Sequence, residues 1–157
     1  MRAMKTVSGL TMFAVALALP APALASGQQT FSAQCSMCHQ PNGAGLPGSF
    51  PRLAGRVPAI AGSADGRRYL VKVLLYGLYG PIMVDGKRIS GVMPSMKSLA
   101  DHAVADVLNH TIGLAKPARK LTPFTAAEVA AVRAGARQSG SDIAAERTLL
   151  AGRKLIP

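Results

Sequence analysis

The chain has 157 residues, 49% of them hydrophobic and only 4% aromatic, with a formal net charge of +11. That length suits one ordinary domain with a core of its own. The charge favours acidic partner surfaces or anionic membranes; nucleic acid is set aside, because the basic residues are scattered instead of gathered in blocks.

Residues 1–25 read as a secretory signal peptide. Arg2 and Lys5 supply a positive start, Val7 to Leu19 is almost continuously apolar, and Ala23 and Ala25 form a small-residue pair suited to cleavage after Ala25. An uncleaved anchor is the alternative, although the apolar run is short against the roughly 20 residues a membrane span needs. Nothing downstream is apolar enough to cross a bilayer, so no transmembrane segment is expected after cleavage. The remainder divides into residues 26–115, which carry the chemistry, and residues 116–157, a linker with a C-terminal helical extension.

Residues 28–35 can form a short helix with Phe31 inward, delivering Cys35-Ser36-Met37-Cys38-His39. This is C-x-x-C-H, the attachment signal for c-type haem. Two thiols about one helical turn apart can add across two vinyl groups on one edge of a porphyrin, and the adjacent histidine then reaches the iron. A structural disulfide, a thioredoxin-like dithiol and a zinc site are the alternatives. The dithiol belongs beside a βαβ pattern that is missing here. Zinc wants four ligands, and His102 and His110 fall at no zinc-like spacing.

Residues 42–61 are rich in Gly and Pro and read as loop. Ser63 or Asp65 can cap a helix whose apolar face is Tyr69, Leu70, Val73 and Leu74, with Gly77 as its C-terminal cap. Ile82-Met83-Val84, Asp85-Gly86 and Arg88-Ile89 give a small hairpin signal leading into Gly91-Val92-Met93-Pro94. Pro94 prevents that segment from continuing as helix and gives a stiff loop suited to holding a thioether sulfur on iron. Met93 is therefore the first candidate for the sixth iron ligand, with Met96 its competitor; Met37 lies between the cysteines, and Met83 reads as core packing. Ligation by His102 or His110 is a further alternative, set back because both fall on a predicted amphipathic helix.

That helix begins near Ser98 with Asp101 in capping-box register, buries Val104, Val107, Leu108 and Ile112, and closes at Gly113. Residues 116–123 form a basic, proline-flanked linker. Thr125 and Glu128 are spaced as a second capping box, with Phe124 and Val129 placed as a hydrophobic staple, which predicts helix over 126–137. Residues 138–142 read as a break and 143–155 as a last amphipathic turn or two, serving as a packing helix, a frayed end or a docking element for another subunit.

The stretch from Gln34 to Gly55, with Pro41-Asn42-Gly43-Ala44-Gly45 and Phe50-Pro51-Arg52-Leu53-Ala54-Gly55 after the motif, resembles the haem-binding half of class I cytochromes c. In that family a Pro-x-Leu lies about a dozen residues past the histidine, and the proline carbonyl accepts a hydrogen bond from the histidine's other ring nitrogen. The resemblance assigns that role to Pro51. Leu74 to Ile82 and Gly91 to Pro94 resemble the haem subunits of membrane-bound quinoprotein and molybdenum dehydrogenases, which makes Met93 the axial sulfur by the same resemblance. The likeness covers roughly residues 28–135. Two departures stand out. The family's C-terminal helix usually carries an aromatic that packs near Phe31, and Val104 to His110 contains none. Tryptophan, which many relatives use near a haem propionate, is absent from the chain, leaving Arg52 and Tyr79 as candidates there.

These readings predict an all-α cytochrome c fold around one covalent haem c and its iron, with a small β-hairpin before the methionine loop and a C-terminal helical extension. The site residues are Cys35, Cys38, His39, Met93 and Pro51. With both axial positions filled by protein the iron suits electron transfer and not catalysis, so the chain reads as a periplasmic electron carrier and not an enzyme. It would pass electrons from a dehydrogenase towards a respiratory chain and meet redox partners through acidic docking surfaces. If Met93 were labile or off the iron, peroxidase-like chemistry or gas binding would be the alternative. Lys87, Arg88 and Lys97 flank the methionine segment, placed either to steer acidic partners or as an ordinary solvated surface.

Overall fold

The computed structural model describes residues 26–157, so the signal peptide expected over 1–25 lies outside the described residues. Helix α1 (Gly27–Gln34) starts one residue earlier than its sequence suggested, because Ser26 and Gln29 form a reciprocal capping box. It crosses α5 (Asp101–Gly113) at Gly27, where a Cβ would collide with the Asp106 carbonyl oxygen. Only glycine allows that approach. One turn on, Phe31 is 2% exposed and meets the imidazole of His110, ring centroids 5.1 Å apart and tilted by 54°. The ring expected on α5 is thus present as a histidine.

The motif itself forms the short helix α2 (Ser36–His39). The chain then loops back, but residues 42–61 are not loop throughout: α3 (Arg56–Ile60) interrupts them. Pro58 lies in the first turn of α3, where its missing N–H leaves no helical bond unmade, so the proline that argued against helix is accommodated. Helix α4 (Ala64–Tyr76) is capped by Ser63, whose hydroxyl accepts from the Gly66 N–H at 3.0 Å. It ends at Gly77, where φ is +75° and a Cβ would meet the Met93 carbonyl oxygen at 2.5 Å. That glycine therefore serves both the end of α4 and the close passage of the methionine segment.

Strands β1 (Leu78–Val84) and β2 (Lys87–Met93) pair antiparallel, from Leu78 opposite Met93 to Val84 opposite Lys87. Asp85 and Gly86 make the two-residue turn with φ of +50° and +75°, the left-handed pair that matches strand twist. The hairpin is longer than the sequence suggested, because pairing propagates from this turn through Gly80 and Gly91 to its far end. Met93 is consequently the last residue of a strand and not part of a free loop, with Pro94 ending the ladder. Met83, read as core packing, is instead 57% exposed, because strand alternation turns it away from the buried Val84.

Helix α5 starts at Asp101, after Ala100, with no side-chain cap. The capping box anticipated near Ser98 does not form; the Asp101 carboxylate accepts from Arg133 Nε at 2.7 Å instead. Arg133 ends α6 (Ala126–Arg133), which is shorter than predicted, while Phe124 and Val129 are buried as the staple required. The Glu128 N–H keeps its cap bond to the Thr125 hydroxyl at 3.2 Å, while its carboxylate accepts from Arg67 of α4 at 2.7 and 2.8 Å.

The largest departure is α7 (Gly140–Gly152), a full helix of 13 residues. Ser139 and Asp142 form a capping box in the segment read as a break. The helix lies against β1, with Gly140 close to the Leu78–Tyr79 backbone and Ala144 close to Gly80. Phe124, Val129, Ile143, Leu150 and Ile156 join the same buried cluster as Val71, Leu75, Val104 and Leu108. Among the described residues no helix is long and apolar enough to cross a membrane. Ile143 is fully buried, so Ile143→Ala is expected to lower the unfolding free energy of the holoprotein by about 2–5 kcal/mol. Denaturant titration followed by far-UV circular dichroism measures this, and a loss below about 1 kcal/mol would show that α7 contributes little to the core.

Candidate functional site

A partly open cleft of about 180 Å³ lies between the motif, helices α3 and α4, and the hairpin. Its walls are largely apolar and include Leu53, Val57, Leu70, Leu78, Ile82 and Ile89. Cys35, Cys38, His39, Pro51 and Met93 all line it, although they come from α2 and the residue before it, the following loop and the end of β2. Met96 lines it as well. Met37 is 89% exposed, and Met83, His102 and His110 are not among the lining residues.

The motif residues are placed by one helical turn. The N–H groups of Cys38 and His39 both donate to the Cys35 carbonyl, at 3.2 and 2.9 Å, which holds both thiols and the imidazole within a single turn. Both cysteines are free thiols. Burial pushes the Cys35 thiol up, and the neighbouring Cys38 adds to the effect, so it is held in the protonated form.

His39 is buried, and its Nδ1 lies 2.9 Å from the Pro51 carbonyl oxygen. Since a carbonyl only accepts, Nδ1 carries the proton and donates, which leaves the Nε2 lone pair as the ring's free donor to a metal. Burial pushes the His39 pKa below its ordinary value, opposed in part by the Pro51 contact, and this favours the neutral, ligating ring. The loop that brings Pro51 into place is tied at its neck. Leu53 and Ala54 N–H groups donate to the Gly43 carbonyl at 2.8 and 3.0 Å, and Gly45 N–H donates to the His39 carbonyl at 2.9 Å.

Among the described residues no group of three or more His, Cys, Asp or Glu is arranged to hold a metal ion. The cleft instead offers one imidazole, two thiols and two thioethers around apolar walls. Such a set fits a flat, largely apolar metal macrocycle attached through two thiols, and it does not fit a bare cation. Three arginines also line the cleft, Arg52, Arg56 and Arg147. Arg52 was a candidate from sequence. Tyr79, the other candidate, is 61% exposed and lies outside the cleft. Arg56 and Arg147 were missed: Arg56 lies on an unanticipated helix, and Arg147 stands far along the chain in the tail, where no local pattern points to the motif.

Comparison with known proteins agrees with this geometry. Residues 22–110 match the family described as cytochrome C oxidase, cbb3-type, subunit III. Two proteins named cytochrome c-552, both from Thermus thermophilus, are each 51% identical to this chain over 105 residues. The alignments cover 65% of this chain and 80% and 71% of those two proteins. The chain belongs to the class I c-type cytochromes, which transfer electrons through covalently bound haem c and its iron. It is thus an electron carrier and not an enzyme by itself, and redox proteins are its partners.

The wall behind the cleft depends on Asp85. Its carboxylate accepts from Arg52 at 3.0 and 3.1 Å and from Arg56 at 3.2 Å. The hydrogen bonds from Arg52 are the main reason its pKa lies below the ordinary carboxylate value. A depressed carboxylate pKa contributes stability above the unfolded-state value, about 4, and that stability is lost as pH falls through the lower folded value. Asp85→Asn is therefore expected to be less stable than wild type near neutrality, with the gap closing as the solution is acidified below about pH 4. Denaturant midpoints measured across that range check it; a gap that does not change with pH would show that the carboxylate charge is not what matters.

Proposed function

We propose that this chain is a periplasmic electron carrier holding one haem c, attached through Cys35 and Cys38, with His39 and Met93 as the axial ligands of its iron. The observation that carries the reading is the hydrogen bond from His39 Nδ1 to Pro51, which fixes the tautomer and leaves Nε2 free within a cleft that also bears Met93. The haem supplies the one-electron chemistry. The protein orients the imidazole, presents a thioether sulfur, which raises the reduction potential, and surrounds both with apolar side chains. Met93 is preferred to Met96 because it ends a paired strand, opposite Leu78, with Pro94 directly after it to stiffen the segment. The signal-like residues 1–25 support export, and the sequence likeness to dehydrogenase haem subunits supports a dehydrogenase as donor and a respiratory chain as destination.

Visible spectra of the exported protein, oxidised and reduced, with and without carbon monoxide, test the ligation. Wild type is expected to show sharp low-spin haem c bands, a weak red sulfur-to-iron band, and no response to carbon monoxide. Met93→Ala loses the red band and binds carbon monoxide, while Met96→Ala keeps the wild-type spectrum. If wild type itself shifts with carbon monoxide, the iron has an open position and the gas-binding or peroxidase-like reading replaces this one.

Lys87, Arg88 and Lys97 are all exposed, at the start of β2 and just beyond Met96. This supports their role in steering acidic redox partners, since exposed charges near a docking face act mainly on encounter rate. Reversing all three to Glu is expected to slow reduction by an anionic iron–EDTA complex about 10-fold or more at low ionic strength and to flatten its salt dependence. An unchanged rate and slope would leave these residues as an ordinary solvated surface.

A further inference from the structure

We propose that the outer face of the β1–β2 hairpin is the docking surface for a redox protein whose contact patch is apolar at its centre and acidic at its rim. This rests on the electron-carrier reading above and adds where such a carrier meets its partner.

Strand register assigns the face. Tyr79, Pro81 and Met83 alternate with residues that line the cleft, and their cross-strand partners are Val92, Ser90 and Arg88. Directly opposed residues point to the same side of a pleated sheet, so these six form one surface. All six are exposed, Tyr79 by 61%, Met83 by 57% and Val92 by 67%. The cleft takes the other face of the hairpin, and α7 lies along β1, while the outer face keeps its apolar side chains in solvent. Apolar surface gathered in this way and rimmed by polar groups marks an interaction site.

Charge selects the partner. Arg88 stands within the face, opposite Met83, and Lys87 precedes it at the turn. None of the six residues is acidic, and Asp85 in the turn is already engaged by Arg52 and Arg56. An acidic rim complements this surface. A second copy of the chain does not, because a face-to-face pair would bring Arg88 and Lys87 against their own kind, on molecules with a formal net charge of +11.

Size sets the strength. Each strand has seven residues, about 23 Å in length, and the face is only two strands wide. That suits the interfaces below about 1,200 Å² that transient redox encounters use. A carrier must release its partner after each transfer, so a small apolar centre with cations beside it serves fast and weak association.

Position ties the face to the cofactor. Val92 is exposed and also lines the cleft, so the surface runs without a break to the cleft rim. Between the Tyr79–Val92 and Pro81–Ser90 pairs, the cleft-facing pair is Gly80 opposite Gly91. Neither carries a side chain. A partner seated on the outer face is separated from the cleft there by peptide backbone alone.

The test uses the holoprotein with reduced flavodoxin as probe, an acidic one-electron donor with an apolar flavin edge. Stopped-flow reduction followed against flavodoxin concentration gives the dissociation constant of the encounter complex. The double variant Tyr79→Gln, Met83→Gln removes two apolar contacts without altering charge or the cleft lining. It is expected to weaken the complex about 10-fold, while its low-spin spectrum and its reduction by iron–EDTA stay those of wild type. Leu149→Gln, which changes an exposed apolar side chain on α7, is expected to leave the dissociation constant unchanged. Met37 offers the competing surface, since it is 89% exposed between the two cysteines. If Met37→Gln weakens the complex and the double variant does not, docking takes place at the motif and the proposal is overturned. A double variant that binds flavodoxin as wild type does overturns it too. So does a wild-type dimer in sedimentation, or wild-type binding to phosphatidylglycerol vesicles, that the double variant loses without losing affinity for flavodoxin; the face would then belong to a second copy or a membrane. A wild type without covalent haem c would instead overturn the electron-carrier reading beneath.

Discussion

The hydrogen bond between His39 Nδ1 and the Pro51 carbonyl oxygen ties the local chemistry of the motif to the architecture around it. An imidazole at the end of a four-residue helix could rotate, exchange tautomers or take up a proton. A fixed carbonyl as partner restricts all three, and it can be there only because the intervening loop folds back on itself through Gly43 and Gly45. The same loop carries Arg52 and Leu53 to the cleft and starts α3, which brings Arg56. Histidine orientation, an apolar wall and part of the positive wall therefore depend on one loop conformation.

Two other constraints hold the site from outside. The crossing of α1 and α5 at Gly27 sets the distance between the motif's leading helix and the core, and the Phe31–His110 contact fills the space beside it. Imidazole carries a smaller apolar face than the aromatic ring usual in the family. The close approach at Gly27 lets the shorter ring reach. At the other side, the Asp85–Gly86 turn sets the hairpin register and so fixes where the Met93 backbone stands. Gly77 then lets that backbone pass against the end of α4.

The tail joins these parts. Helix α7 buries Ile143 and Leu150 in the common core, and its Arg147 bonds to the backbone of Met83 on the hairpin and of Pro157 beyond the helix. A segment that could have been a frayed end thus has both a packing role and a charged group facing the cofactor cleft.

Much of the chemistry was legible in order along the chain. The C-x-x-C-H motif is contiguous, so its thiols and histidine need only one helical turn to be arranged. Ser63, Gly77, Thr125 and the Asp85–Gly86 turn are likewise local signals, and each shaped its element as the residue types dictated. What tertiary structure decided was everything set by competition between distant partners. The Asp101 carboxylate went to Arg133, and the Glu128 carboxylate went to Arg67 while its N–H stayed on the Thr125 cap, because an ion pair across helices outweighed a local side-chain hydrogen bond. Pro58 and Ser139 belonged to helix starts that composition alone read as loop and break, since a proline or serine is read differently once the following turn has something to pack on. Met83 went to the surface and Met93 to a strand end because sheet register, not hydrophobicity, chose the face. Arg56 and Arg147 lie far apart in the chain, and only folding placed both guanidinium groups in the lining of one apolar cleft. Sequence carries bonding groups one residue at a time; which of them share one cleft is decided only when the chain has brought them together.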